Sequence, residues 1–188
     1  MAQNKVAFGL SNAHYAVITE TDGAISYGTP VKLPGMVSLT LEPKGEQTDF
    51  YADNLVYYTA SANQGYDGTL ELALLTEEFR KDVLGETVGE DGVFIENATA
   101  NPKKIALLFE FDGDVKATRH LLPYVSVTRP GHSGSTKTES TEPGTGELTF
   151  VASPRPSDYV IKLSTGSETT ETVYNAWYTS VYAPTTGA

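Results

Sequence analysis

Residues 66–85, YDGTLELALLTEEFRKDVLG, constrain the fold more than any other stretch of the chain. Leu70, Leu72 and Leu74 alternate with Thr69, Glu71 and Ala73, the two-residue period of a strand with one buried face, which predicts a strand over 66–75. Thr76 then offers a hydroxyl to the free amides of a helix start, and Glu77 and Glu78 place negative charge at its positive end. Phe79 and Val83 lie four apart on a narrow apolar stripe, Leu84 follows, and Gly85 suits the left-handed stop of a helix. A helix this short does not persist alone in water. Phe79, Val83 and Leu84 are therefore expected to dock on a β-body, and the helix is expected to be the only one in the chain.

The rest of the sequence reads as strands and turns. Residues 1–13 carry no apolar period and read as an N-terminal arm. Strands are predicted at about 14–19 and 24–27 around an Asp22-Gly23 turn, then at 36–42, where Val37, Leu39 and Leu41 share a face. Strands at 46–51 and 55–60 flank a turn at Asp53-Asn54. Ile105, Leu107, Phe109 and Phe111 share one face. Asp112-Gly113 reads as the turn into 115–128, where Leu121, Val125 and Val127 keep register past Pro123. Residues 130–146, PGHSGSTKTESTEPGTG, hold no large apolar side chain and read as a polar loop. Strands follow at 147–152, 158–163 and 174–182, with a C-terminal tail from about 183. The fold class is mainly β: one β-sandwich or barrel, residues 1–188, with a single short flanking α-helix.

Little in this chain points to chemistry. The absence of Cys removes disulfides, thiolate zinc sites and cysteine nucleophiles, and fits a reducing cytoplasm. His14, His120 and His132 are scattered, Ser133 sits in the polar loop without a nucleophile elbow, and Asp112-Gly113-Asp114 lacks the spacing of a calcium loop. No catalytic, cofactor-binding or metal-binding residue is nominated. No apolar run approaches a membrane span, so no membrane insertion by this chain is expected. Thirteen Lys and Arg stand against 24 acids, a net charge of −11, and no basic stripe offers phosphates a binding track.

Aromatic residues are the remaining signal. Tyr57 and Tyr58 lie in one cluster, and Tyr174, Trp177, Tyr178 and Tyr182 in another. As a strand, 174–182 would set the three Tyr on one face and Trp177 on the other. That suits a central strand or one covered by a neighbouring subunit, and all six residues are candidate inter-subunit contacts. Exposed Tyr and Trp would equally suit a non-catalytic carbohydrate- or surface-binding β-sandwich.

Three stretches in order, NKVAFGLSNAHYAVIT, TPVKLPGMVSLTLEP and YDGTLELALLTEEFRKDVLG, resemble the major tail proteins of long-tailed, siphovirus-type bacteriophages of Gram-positive hosts. The likeness extends to SVTRPGHSGSTKT and LTFVASPRP. It implies a structural virion protein, the major tail tube subunit, with a tail-tube-like fold. Such subunits form hexameric rings that stack into a hollow tube, assembled in the host cytoplasm and conducting double-stranded DNA. Further copies of the chain are the implied partners, together with tape measure, terminator and distal tail proteins. DNA would pass transiently and without specific contacts.

On that reading the lumen is acidic to neutral, since like charge keeps phosphates from sticking. Residues 38–53 and 67–73 are expected to line it, with Glu42, Glu46, Asp49 and Glu71 as the candidate carboxylates. The polar loop and the termini are expected to tie ring to ring.

Overall fold

The computed structural model describes residues 3–131, 136 and 144–184. In chain order the strands are β1 (Ala7–Thr21), β2 (Ala24–Tyr27), β3 (Val31–Lys32), β4 (Met36–Lys44), β5 (Gln47–Ala52), β6 (Leu55–Ser61) and β7 (Gly65–Leu72). Helix α1 (Glu77–Asp82) and the short pair β8 (Thr87–Val88) and β9 (Phe94–Ile95) come next. Then follow β10 (Ile105–Gly113), β11 (Thr118–Val127), β12 (Gly146–Ala152), β13 (Leu163–Ser164) and α2 (Glu171–Ala176).

An antiparallel sheet runs β2-β1-β10-β11-β12-β7-β4, with β3 added to β1 and β13 to β11. Its central strands are covered on both faces. On one side Tyr15, Leu33, Leu70, Leu72, Ile105, Leu107, Phe109, Leu122, Val125, Leu148 and Phe150 form the main core. On the other, Ala16, Ala106, Leu108 and Leu121 meet Trp177 in a second, smaller one. This explains the unbroken burial of Ile105 through Phe109: successive residues point to opposite faces, and both faces are dry.

Helix α1 closes the main core. The Thr76 hydroxyl accepts a hydrogen bond from the Phe79 amide, Phe79 and Val83 are buried, and Leu84 nearly so. The Phe79 ring meets that of Tyr15 edge-on at 5.0 Å between centroids. Gly85 follows with φ +75°, the left-handed conformation that ends the helix. The strand before it stops at Leu72, however, and Leu74, placed on its buried face by simple alternation, is 77% exposed.

Other expectations are corrected. Residues 7–13 are no arm: β1 starts at Ala7 and pairs with β10 from there on. Asn4 is also tied down, donating to the Lys116 carbonyl at 2.6 Å and accepting from the amides of Val115 and Lys116. The chain reverses after β10 at 114–117, beyond the Asp112-Gly113 pair. Val37 does not share a face with Leu39 and Leu41, because an irregularity between Met36 and Ser38 turns Met36 inwards and leaves Val37 52% exposed. Leu121 is likewise separated from Val125 and Val127. The pairing steps from Leu107↔Leu122 to Ile105↔Val125, so one extra β11 residue is accommodated around Pro123, which has no amide to give the ladder. Leu121 therefore belongs to the second core and the two valines to the first. Of the strand expected at 158–163, only Leu163–Ser164 pairs.

The largest correction is at the C-terminal end. Residues 174–182 are not a strand: Glu171–Ala176 form a second helix, so α1 does not stand alone. Tyr174, Trp177 and Tyr178, at spacings of three and four, meet on one side of the chain as helix geometry dictates. Most of the polar loop, 132–135 and 137–143, and the end of the tail, 185–188, lie outside the described residues.

Candidate functional site

Strands β4, β7 and β12 present one face to the main core and the other to solvent. Leu70, Leu72, Leu148 and Phe150 point inwards, so Asp67, Thr69, Glu71, Glu147 and Thr149 point out. The registers align these residues in rows. Ser38, Glu71 and Glu147 stand opposite one another, then Thr40, Thr69 and Thr149, then Glu42, Asp67 and Val151. A threonine row thus crosses three strands between two acidic rows. Thr128 extends it, its amide donating to the Thr149 carbonyl.

The carboxylates are held in place. Glu71 accepts from Thr145 Oγ1 at 2.6 Å and Ser38 Oγ at 2.9 Å, and these bonds keep its carboxyl below the usual range. It remains ionised although Glu147 stands directly opposite. Lys44 reaches Asp67 at 3.3 Å, an exposed pair worth little in stability. The face therefore carries Glu42, Asp67, Glu71 and Glu147 against Lys44, with no guanidinium in the rows.

Of the four carboxylates nominated from sequence, the structure brings Glu42 and Glu71 onto this face. It sets Glu46 and Asp49 apart on the β5–β6 hairpin, where Asp49 accepts from Thr59 Oγ1 at 2.7 Å. Sequence reasoning missed Glu147. The alternation Glu147-Leu148-Thr149-Phe150 carries the same signal as 69–72 and would have found it.

The hairpin continues the β4–β7 ribbon beyond the body. Backbone bonds from Gln64 to Lys44 and from Ala62 to Glu46 bridge the two, and β5 and β6 pair only with each other. Asp53 and Asn54, at φ +52° and +61°, form the two-residue turn expected there. Phe50, Tyr51, Leu55, Val56, Tyr57 and Tyr58 are all exposed. Two-stranded hairpins are marginal in water, and an apolar patch of this kind marks an interaction surface.

The second aromatic cluster behaves differently. Trp177 is only 3% exposed and Tyr174 is buried, both within their own chain, which removes them as inter-subunit contacts and as a sugar-stacking platform. Tyr182 stacks on Trp177 with centroids 5.7 Å apart. Arg119, which sequence reasoning passed over, fastens the segment. Its guanidinium lies over the rings of Tyr174 and Tyr178, pairs with Glu110 at 3.0 Å and donates to the Tyr174 carbonyl near the end of α2. The Tyr178 hydroxyl donates to the same Glu110 carboxylate, and burial raises its pKa.

His14 stacks on Tyr178, and His120 packs between Phe109 and Phe111. Among the described residues, no group of three His, Cys, Asp or Glu is placed to hold a metal ion, and no helix is long and apolar enough to cross a membrane.

The sequence matches the family described as phage tail tube protein over residues 2–183. No curated protein matches it. In fold the chain is similar to a chain of the anti-feeding prophage cap, the tube-terminating cap, at 10% identity and a TM-score of 0.51, covering 88% of this chain and 97% of that one. It is also similar to a chain of the six-fold symmetrised anti-feeding prophage baseplate, at 9% identity and a TM-score of 0.50, covering 90% and 100%. At such identities the likeness concerns the fold alone. The family match spans nearly the whole sequence and carries more: this chain belongs to the phage tail tube protein family.

Proposed function

We propose that the chain forms six-membered rings that stack into a tube, and that the wet face of β4, β7 and β12 lines the bore through which double-stranded DNA passes. The observation that carries this reading is the ordered arrangement of that face. Threonine hydroxyls and four carboxylates cover it, so it is hydrated and of the same sign as DNA. Phosphates are bound by Lys and Arg that displace counterions, and a wall of this composition offers almost none. Screening confines the repulsion to about 8–10 Å, so it is the inward-facing charges that matter.

Two further features support a ring. Within the chain β4 is the last strand of the sheet, leaving an edge whose backbone groups suit pairing with a neighbouring subunit. A chain of similar fold comes from a six-fold symmetrised assembly. The role is structural rather than catalytic, in the virion, with contacts to other tail proteins at the ends of the tube. In this reading Glu42, Asp67, Glu71 and Glu147 face the lumen, while Glu46 and Asp49 travel with the hairpin. Negative-stain microscopy of the purified protein tests the proposal: rings and tubes are expected, and dispersed monomers at every concentration would overturn it.

A further inference from the structure

Residues 166–182 are tied to the sheet by side chains alone. Thr165 is the last residue before them bonded to the body through its backbone, its amide donating to the Arg119 carbonyl at 2.9 Å. Beyond it, among the described residues, the backbone bonds stay inside the segment: Thr169 to Gly166, Tyr174 to Thr170, Trp177 to Tyr174, and Thr179 and Ser180 to Ala176. The ties to the body are the Tyr174 hydroxyl on the Ala117 carbonyl, the Trp177 indole on the His120 carbonyl at 3.5 Å, the Lys116–Glu171 pair, and the grip of Arg119 and Glu110 on Tyr174 and Tyr178. We propose that residues 170–182 form a strap that lifts from the sheet as a unit, hinged at 166–169, and that protonation of His14 favours the lifted state. The strap is a property of the single subunit and stands apart from the tube reading.

The segment has little hold on its own shape. Helix α2 is six residues long, Thr170 makes no side-chain cap bond, and no basic residue stands in the last turn. So short a helix does not persist in water. It is kept by resting Trp177 and its neighbours on Ala16, Ala106, Leu108 and Leu121.

Lifting strands no buried charge. Arg119 and Glu110 stand opposite each other on β11 and β10 and pair at 3.0 Å, so they remain partnered when the tyrosines leave. Had one of them belonged to the segment, the motion would have left the other buried and unpaired, the costly case. The Lys116–Glu171 pair does part, but both members are exposed and such pairs contribute little. At the hinge a Cβ built on Gly166 would meet nothing within 4 Å, so the backbone there has room to swing.

His14 couples the strap to pH. Its ring lies against that of Tyr178 with centroids 4.5 Å apart, so the strap covers it on that side. Its Nδ1 meets the Asn12 carbonyl at 2.9 Å, Lys32 stands opposite on β3, Glu110 lies nearby on β10, and Arg119 of β11 faces the Tyr178 ring. Burial holds the imidazole below its ordinary 6.5, with Lys32 adding and the Asn12 carbonyl and Glu110 opposing. Lifting Tyr178 returns water to the ring, so the lifted state takes up the proton more readily. The strap is therefore held above about 6.5 and freed as pH falls through the docked value.

Trp177 is the only Trp in the chain, so its fluorescence reports the strap. The purified full chain, kept dilute, is taken from about pH 7.5 to about pH 5. Its emission is expected to shift to the red and acrylamide quenching to rise, reversibly, while the far-UV circular dichroism of the sheet is retained. His14→Phe keeps a ring against Tyr178 and removes the titration, so the acid shift should be lost, whereas His120→Phe should keep it. Emission that moves only together with the circular dichroism, or an acid shift undiminished in His14→Phe, would overturn the proposal. Hydrogen exchange of the unaltered chain supplies an arm free of any variant. Peptides covering 171–180 are expected to exchange ahead of those covering 105–113, and equal protection of the two would overturn the strap.

Discussion

Gly68 lies under the ring of Phe150, its neighbour across the β7–β12 pair: a Cβ built on Gly68 would come within 2.3 Å of the Phe150 Cζ atom. The side chain absent at 68 is the space that Phe150 fills, and Phe150 belongs to the main core directly behind the threonine row. Gly68→Ala is expected to displace that ring and destabilise the subunit by about 1–3 kcal/mol, the usual cost of overpacking. Equilibrium denaturation of the purified subunit checks this.

Phe79→Ala removes the ring that α1 inserts beside Tyr15. For a fully buried Phe the expected loss is roughly 3–5 kcal/mol. Subunit melting should fall before any assembly defect is seen. Unchanged melting with loss of rings would assign this face to a subunit contact.

Arg119→Met keeps the aliphatic stem of Arg119 and removes its guanidinium. Glu110 then loses its ion-pair partner in a largely dry setting, at a cost of roughly 3 kcal/mol or more. The α2 segment should loosen with it. Limited proteolysis followed by mass spectrometry is expected to show new cleavage after residue 170 while β1, β10 and β11 remain protected.

Acid should weaken the subunit in two stages. Burial lowers the pKa of His120, with Lys162 adding to the effect, and burial likewise lowers that of His14. Both folded values lie below the ordinary 6.5, so the unfolded chain binds these protons first. The contribution is therefore fully present above about 6.5 and is lost as pH falls through the folded values. Melting temperature should drop on moving from neutral to mildly acidic buffer, and His120→Phe should flatten part of that slope. A separate decline is expected below the usual carboxylate range, where Glu71 and Asp158, both held low by hydrogen bonds, become protonated.

Replacing Glu42, Asp67, Glu71 and Glu147 together with Lys reverses the sign of the wet face. Solvated positions tolerate such changes, so tubes should still form. They are expected to retain double-stranded DNA at low salt and to release it as salt rises, as counterion release requires. If the altered tubes retain no more DNA than unaltered ones, these residues are not in the bore.

Much of this architecture was legible in the sequence where a local rule dominates. The Thr76 cap, the Gly85 stop, the Asp53-Asn54 turn and the alternation through Leu70 and Leu72 each depend on a few neighbouring residues. The failures are instructive because another element overrides the local pattern. Simple alternation put Val37 with Leu39, and Leu121 with Val125, but irregularities against β7 and β10 reset the faces. No propensity reveals such an offset in advance.

The C-terminal aromatics misled for a different reason. Tyr and Trp favour strands, so 174–182 read as one, yet the spacing of Tyr174, Trp177 and Tyr178 already fitted a helix. What the local spacing could not show is the contact with Arg119, 55 residues away in sequence from the Tyr174 carbonyl it reaches. The wet face was half visible: Glu71 stands opposite a leucine face, whereas joining it to Ser38 and Glu147 requires knowing which strands pair. The detachment of the hairpin from the body was not visible at all, since its alternation resembles that of any half-buried pair.

The β4–β7 ribbon runs from Met36↔Leu72 to Lys44↔Gly65, where it passes into the β5–β6 hairpin. A pull on the hairpin along its own length would run parallel to these strands. The interstrand bonds would then be loaded together, in shear, instead of parting one after another from an end. A hairpin anchored this way resists extraction with its whole ladder, so the strands that carry the wet face are also the ones that would bear the load.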